Sequence, residues 1–132
     1  MTSDRTNIYQ LYTESAAEQE IVAKYAPLIK DGVLDGSVNI AEKKLTKIPS
    51  IFKGIKVIGN FYCDDNRLTS LKGAPQSVGG EFWCDNNRLT SLKGAPQKVG
   101  RAFWCTNNQL ASLEGAPQSV GGFWCSGNQL TS

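Results

Sequence analysis

Phe82-Trp83-Cys84-Asp85-Asn86-Asn87-Arg88-Leu89-Thr90-Ser91-Leu92-Lys93-Gly94-Ala95-Pro96-Gln97-Lys98-Val99 is one unit of a pattern that the chain repeats. Its opening triplet recurs as Phe61-Tyr62-Cys63, Phe103-Trp104-Cys105 and Phe123-Trp124-Cys125, at spacings of 21, 21 and 20 residues. Three residues after each Cys stands an Asn (Asn66, Asn87, Asn108, Asn128), and two further on a Leu (Leu68, Leu89, Leu110, Leu130). Leu71, Leu92 and Leu113 follow, then Gly-Ala-Pro-Gln at 73–76, 94–97 and 115–118; Val57, Val78, Val99 and Val120 close the unit. A unit this short cannot bury its own apolar face, so neighbours must stack into a solenoid.

Within a unit, the alternation in Phe-x-Cys puts Phe and Cys on one face of a short strand and the middle residue on the other. The Asn then falls at the turn, where its amide is placed to satisfy backbone groups of the neighbouring coil. Gly-Ala-Pro forces a bend, because Pro fixes one dihedral and lacks a donor while Gly relaxes the steric limits. Parallel strands are expected on the inner surface, with irregular or 3₁₀ segments on the outer one.

The last unit, Val120-x-x-Phe123-x-Cys125-x-x-Asn128-x-Leu130, fits the L-x-x-L-x-L-x-x-N/C-x-L pattern position for position. On these residues the chain resembles a leucine-rich repeat protein. Earlier units carry one extra residue before the Phe (Asn60, Glu81, Ala102), and a weaker copy precedes them as Val38-x-Ile40-x-x-Lys43-x-Leu45-x-x-Ile48-Pro49, with Lys where Asn should stand. The resemblance implies an α/β solenoid: a short right-handed coil of about five units over residues 37–132, with parallel β-strands on its concave face. Residues 1–36 then form an N-terminal arm and helical cap.

Those first residues have no repeat character. Ser15-Ala16-Ala17-Glu18 fits a capping box, and Ile21, Val22, Tyr25, Leu28 and Ile29 recur at helical spacing. Pro27 should end this helix near Tyr25–Ala26, and Ile8, Leu11 and Tyr12 suggest a shorter element before it. A solenoid exposes its core at both ends unless capped, which gives this helix its role.

Composition removes several kinds of chemistry. The 132 residues carry 14 Lys+Arg against 12 Asp+Glu, a formal charge of +2, too near neutral for a dedicated polyanion binder. A 40% hydrophobic share is that of a globular domain, no apolar run approaches the ~20 residues of a membrane span, and Met1-Thr2-Ser3-Asp4-Arg5 lacks the layout of a secretion signal. The absence of His removes histidine acid–base chemistry and histidine ligation, and no Gly-rich phosphate loop with its Lys occurs. Cys63, Cys84, Cys105 and Cys125 share one repeat position, so they fall side by side on adjacent strands instead of converging as zinc ligands do. They are expected to be small, buried, reduced thiols, which favours a reducing compartment at synthesis; whether neighbours form disulfides stays open. No metal, cofactor or catalytic residue is expected. Leucine-rich repeats resembling these occur in bacterial effector ubiquitin ligases whose catalytic domain uses a Cys with an Asp two positions on. Cys63-Asp64-Asp65 has that spacing, but its Cys occupies a repeat slot.

The middle position of the triplet is the more informative candidate. Tyr62, Trp83, Trp104 and Trp124, flanked by Asp64 and Asp85, should form an aromatic column on the concave surface. Such a column is either a self-stacked ladder or an interface stripe, and both can hold together. Its acidic flank argues against nucleic acid, while glycan stacking remains a minor alternative. A basic run at Lys43, Lys44, Lys47, Lys53 and Lys56 reads first as a solvated face and second as a docking site for an acidic partner.

The C-terminal third is nearly uncharged: from Ala102 to Ser132 only Glu114 carries charge. A last strand at Phe123–Cys125 would leave backbone and apolar surface open, with Phe123, Trp124 and Leu130 at the edge. Either this edge docks on something or the chain is a shortened member of a longer array. The Leu-Thr-Ser-Leu-Lys-Gly-Ala-Pro-Gln-x-Val-Gly-Gly wording looks like repeat proteins encoded by large tailed bacteriophages. That resemblance implies a non-enzymatic protein-binding module, an accessory component (decoration or adaptor) of a phage virion synthesised in the host cytoplasm. Its partners would be other virion proteins or further copies of itself, without membrane or nucleic acid. The alternative is a soluble intracellular binder or inhibitor of a host protein.

Overall fold

The computed structural model describes residues 14–131; the expected element around Ile8, Leu11 and Tyr12 lies outside them. Helix α1 (Glu14–Tyr25) leads through a 3₁₀ turn at Ala26–Leu28 into a β-solenoid of about four turns. The helix stops where Pro27 removes a donor and clashes with the preceding turn. Ser15 lies inside α1 instead of at its N-cap, so the expected capping box does not form.

Strands β1 (Ile29–Lys30) and β2 (Val33–Leu34) make an antiparallel hairpin; every later pairing is parallel. The Phe-x-Cys positions build one ladder from β3 (Val38–Asn39) through β5 (Phe61–Tyr62) and β7 (Phe82–Trp83) into β8 (Lys98–Trp104) and β9 (Ser119–Trp124). Phe61, Phe82, Phe103 and Phe123 stand in register along it. A second ladder joins β2, β4 (Lys56–Val57), β6 (Ser77–Val78) and the first residues of β8 and β9, with Val57, Val78, Val99 and Val120 in register. This second rung adds to the parallel strands expected at Phe-x-Cys. The closing Val alternates with a Lys or Ser that is exposed or half-buried, which is enough to make a rung once identical segments stack.

The two rungs fuse into single strands only in β8 and β9. There the extra residue of the longer units is absorbed as an irregularity between Val99 and Ala102, while Ala102 itself pairs with Gly122. The added residue is thus a bulge at Gly100-Arg101, opposite Gly121, and not Ala102. Gly100 is obligatory at this corner, because a Cβ would run into the carbonyl of Gly79 on the preceding coil. The outer path consists of turns at Gly-Ala-Pro, where Ala74, Ala95 and Ala116 each donate to the Leu three residues back.

The core is a set of columns. Phe61, Phe82 and Phe103 are fully buried, and successive rings from Phe61 to Phe123 stack at 5.3–5.4 Å with planes within 9°. Cys63, Cys84 and Cys105 are sealed beside them and remain free thiols, whereas Cys125 is half-buried. Leu45, Leu68, Leu89 and Leu110 complete the interior.

The asparagine ladder ties each coil to the one before. Asn87 Oδ1 accepts from Leu68 N–H at 2.9 Å, and its Nδ2 donates to the Cys63 and Cys84 carbonyls at 3.1 Å. Asn66, Asn108 and Asn128 repeat the scheme. Because each amide reaches only backward, the first coil has no preceding carbonyl to reach. Lys43 in the asparagine slot is consistent with that, and its N–H is satisfied by Asn66 Oδ1.

At the N-terminal end α1 lies over the first coil. Ile21 and Tyr25 are buried, Tyr25 packs edge-on to Phe52 at 5.8 Å, and its hydroxyl accepts from Asn39 N–H at 2.9 Å. Leu28, expected on the apolar face, is instead 53% exposed because the 3₁₀ turn rotates it outward. Glu14 anchors the helix start by accepting from Thr46 N–H and Oγ1, both at 2.7 Å. Partial burial would raise its pKa, but these bonds and Lys47 hold it below the usual value.

Candidate functional site: an aromatic column with an acidic flank

Strand alternation carries Tyr62, Trp83, Trp104 and Trp124 to the face opposite the Phe stack, as their spacing requires. The first three are half-buried and Trp124 is 53% exposed. Neighbouring rings touch throughout: Tyr62–Trp83 edge to face at 5.1 Å, Trp83–Trp104 tilted at 5.8 Å, Trp104–Trp124 stacked at 5.1 Å. The self-stacked ladder is thus present. The rings support one another and still offer a continuous strip to solvent.

Two residues beyond each aromatic, on the same face, runs the series Asp64, Asp85, Thr106, Ser126. Asp85 Oδ1 accepts from Thr106 N–H and Oγ1, both at 2.8 Å, which offsets part of the burial that raises its pKa. Asp64 is helped only by its own backbone N–H, which lowers its pKa less than burial raises it. Its Oδ1 is shut off from solvent without a donor, and its carboxyl is pushed up to about 6, first by burial, then by Asp65 and Asp85.

Next along each strand come Asp65, Asn86 and Asn107, all with φ of 54–55°, a left-handed conformation that Asp and Asn tolerate best. Their side chains form another ladder: Asn86 Nδ2 donates to Asp65 Oδ1 at 2.9 Å and Asn107 Nδ2 to Asn86 Oδ1 at 3.0 Å. On the far flank, Trp83 Nε1 donates to Glu81 Oε1 at 2.6 Å, whereas Trp104 Nε1 is buried without an acceptor.

A depression of about 370 Å³ opens at the N-terminal end of this face, lined by Asn39, Ala41, Glu42, Tyr62, Asp64 and Trp83. The site residues expected from the sequence, Tyr62, Trp83, Trp104, Trp124, Asp64 and Asp85, thus share one surface. Glu42, Asp65 and Glu81 were missed, although aligning the weak first copy would have placed Glu42 opposite Asp65. A larger groove of about 590 Å³ runs elsewhere, past Lys53, Lys72 and Lys93 along the Gly-Ala-Pro turns. Lys43, Lys44, Lys47, Lys53 and Lys56 are all exposed, as a solvated face would be.

The edge residues divide. Phe123 continues the interior stack on Phe103, while Trp124 continues the aromatic face and Leu130 is 37% exposed. Among the described residues β9 pairs with β8 alone.

The thiols have the opposite of activated character. Burial first, and then the Asp64 and Asp85 charges, push the Cys63 thiol well above its usual value; Cys105 is pushed up to about 12. Cys63 with Asp65 therefore lacks the accessible thiolate that nucleophilic catalysis needs. Among the described residues no cluster of His, Cys, Asp and Glu is placed to hold a metal, and no helix is long and apolar enough to cross a membrane. Comparison of the chain with family models, curated proteins and solved structures finds no match.

Proposed function

We propose that this chain is a non-enzymatic protein-binding module of the leucine-rich repeat kind, working as a decoration or adaptor component of a phage virion. The observation that carries the binding reading is the unbroken strip of Tyr62, Trp83, Trp104 and Trp124, held by a rigid stack and ending in a half-exposed Trp. Tyr and Trp supply large contact area at little entropic cost, which is why they dominate interface energetics. The repeat reading rests on the Asn ladder and the Phe-x-Cys register; the second β-ladder adds a rung that this reading did not anticipate. The virion setting rests on the wording of the repeats. The charge-poor coil carrying Trp124 and Leu130 would extend the contact surface.

Mass spectrometry of purified virions tests the setting, and binding to isolated capsid and tail proteins tests the surface. Stoichiometric presence in virions, with binding lost in Trp124→Ala, is the expected result. Trp124 is the most exposed ring of the four, so its removal leaves the fold intact. A single stoichiometric partner recovered from host lysate, with no chain in virions, would replace this reading by that of a host-protein binder. Loss of sugar binding but not of protein binding in Trp104→Ala would make the column a glycan site.

A further inference from the structure

The aromatic strip is chemically uneven. Around Trp104 and Trp124 the neighbouring outward positions are Thr106, Ser126, Ala102 and Gly122, all uncharged. Around Tyr62 and Trp83 they are acidic: Glu42 and Asp64 line the depression, with Asp65, Asp85 and Glu81 close by. No Lys or Arg is among the lining residues.

Three features of this depression point to the same ligand. The Tyr62 and Trp83 rings lie against each other at 86°, so aromatic surface borders the depression in two orientations, and a cation is attracted to ring face left open there. The Trp83 ring is fixed by its bond to Glu81, which leaves the wall preorganised. The Asp64 carboxylate is surrounded by Asp65 and Asp85 and has one oxygen with no donor at all. Negative charge is thus concentrated beside two aromatic rings, and no Lys or Arg lines the depression to balance it. A hard metal ion would want converging oxygens, not ring walls, and a nucleic acid would be repelled.

We infer that the depression between Tyr62, Trp83, Glu42 and Asp64 seats a basic side chain, an arginine or lysine, of the partner protein. This rests on the proposed binding role and names the chemistry of the partner at one point of the strip. The neutral rings Trp104 and Trp124 then take the apolar part of the same partner.

The test uses the full chain with three probes of equal length, hexa-arginine, hexaglutamine and hexaglutamate, followed through the indole N–H signals of the three Trp residues. Hexa-arginine should bind and shift Trp83 most. Hexaglutamine and hexaglutamate should leave it unmoved, and added salt should weaken binding. Asp64→Asn and Glu42→Gln should each lower the affinity at least tenfold, whereas Glu114→Gln, on a distant coil edge, should not change it. Glu42 is exposed, so its variant keeps the test valid if Asp64→Asn perturbs the fold. Equal affinity in Glu42→Gln, an equal loss in Glu114→Gln, or shifts confined to Trp124 would each overturn the inference. A virion protein whose binding is lost in Trp124→Ala but untouched in Glu42→Gln would sink this inference and leave the binding role standing. Hexa-arginine binding at Trp83, with no chain in virions, would leave this inference standing and remove the virion setting.

Discussion

At the scale of single residues, the four asparagines and Asp64 illustrate opposite uses of a buried polar group. Asn87 spends its amide on four backbone groups of two coils; the Leu68 N–H depends on it alone, while the Cys63 and Cys84 carbonyls also accept from Asn66 and Asn108. Replacing it by Ala should cost about 1–3 kcal/mol, the range for a buried N–H left without its acceptor, read as a lower urea midpoint. Asp64 is the reverse case, a carboxyl that burial and like charges make harder to ionise. Its folded value, about 6, lies above the unfolded value near 4, so the native state binds more protons between those limits. Its contribution to stability is present below about pH 4 and is lost as pH rises through about 6. Asp64→Asn should flatten that slope and stabilise the fold by ~1 kcal/mol above pH 6, a figure already reduced because much of the side chain is solvent-screened. Asp85, raised in the same direction, leaves a residual slope; Glu14, lowered by its bonds to Thr46, acts oppositely at lower pH. Thermal unfolding from pH 4 to 7 checks both signs.

At the scale of elements, the corner between the two ladders sets how closely coils approach. Gly100 lies against the carbonyl of Gly79, and no rotamer change relieves a Cβ placed against backbone. Gly100→Ala should therefore destabilise the solenoid by about 1–3 kcal/mol, the usual range for overpacking, seen as a fall in Tm without loss of the far-ultraviolet β signal. The strand at Phe-x-Cys was legible because its apolar and outward residues alternate with large, unmistakable side chains. The rung at Ser-Val or Lys-Val was not, because two residues carry almost no periodic signal. Its existence depends on the same dipeptide lying beside itself one coil away. The helix was readable from Ile21, Tyr25 and Pro27, but its start was not: Glu14 finds its partner in Thr46, 32 residues along the chain.

At the scale of the whole molecule, a stack of identical rungs predicts a gradient of protection. Cys63, Cys84 and Cys105 are sealed between coils, while Cys125 sits in the outermost described coil and is half-buried. A thiol reagent should label Cys125 first under native conditions, and the other three only on the timescale of unfolding; uniform labelling would mean that the stack breathes as independent coils. The same geometry turns one outward residue per repeat into a surface. Because the register is exact from Phe61 to Phe123, four aromatics fall in one line, and the change from Asp to Thr and Ser along the flank becomes a gradient of charge in space.

The repeat period, the inward Phe and Cys, the backward-reaching Asn and the outward aromatic line all follow from local spacing, since a regular stack merely translates each unit onto the next. What spacing could not reveal are relations across coils and at corners: the second ladder, the bulge at Gly100-Arg101, the Glu14–Thr46 anchor and the depression under Tyr62 and Trp83. Each of these depends on distances between segments far apart in the chain, and such distances exist only once the coils are wound.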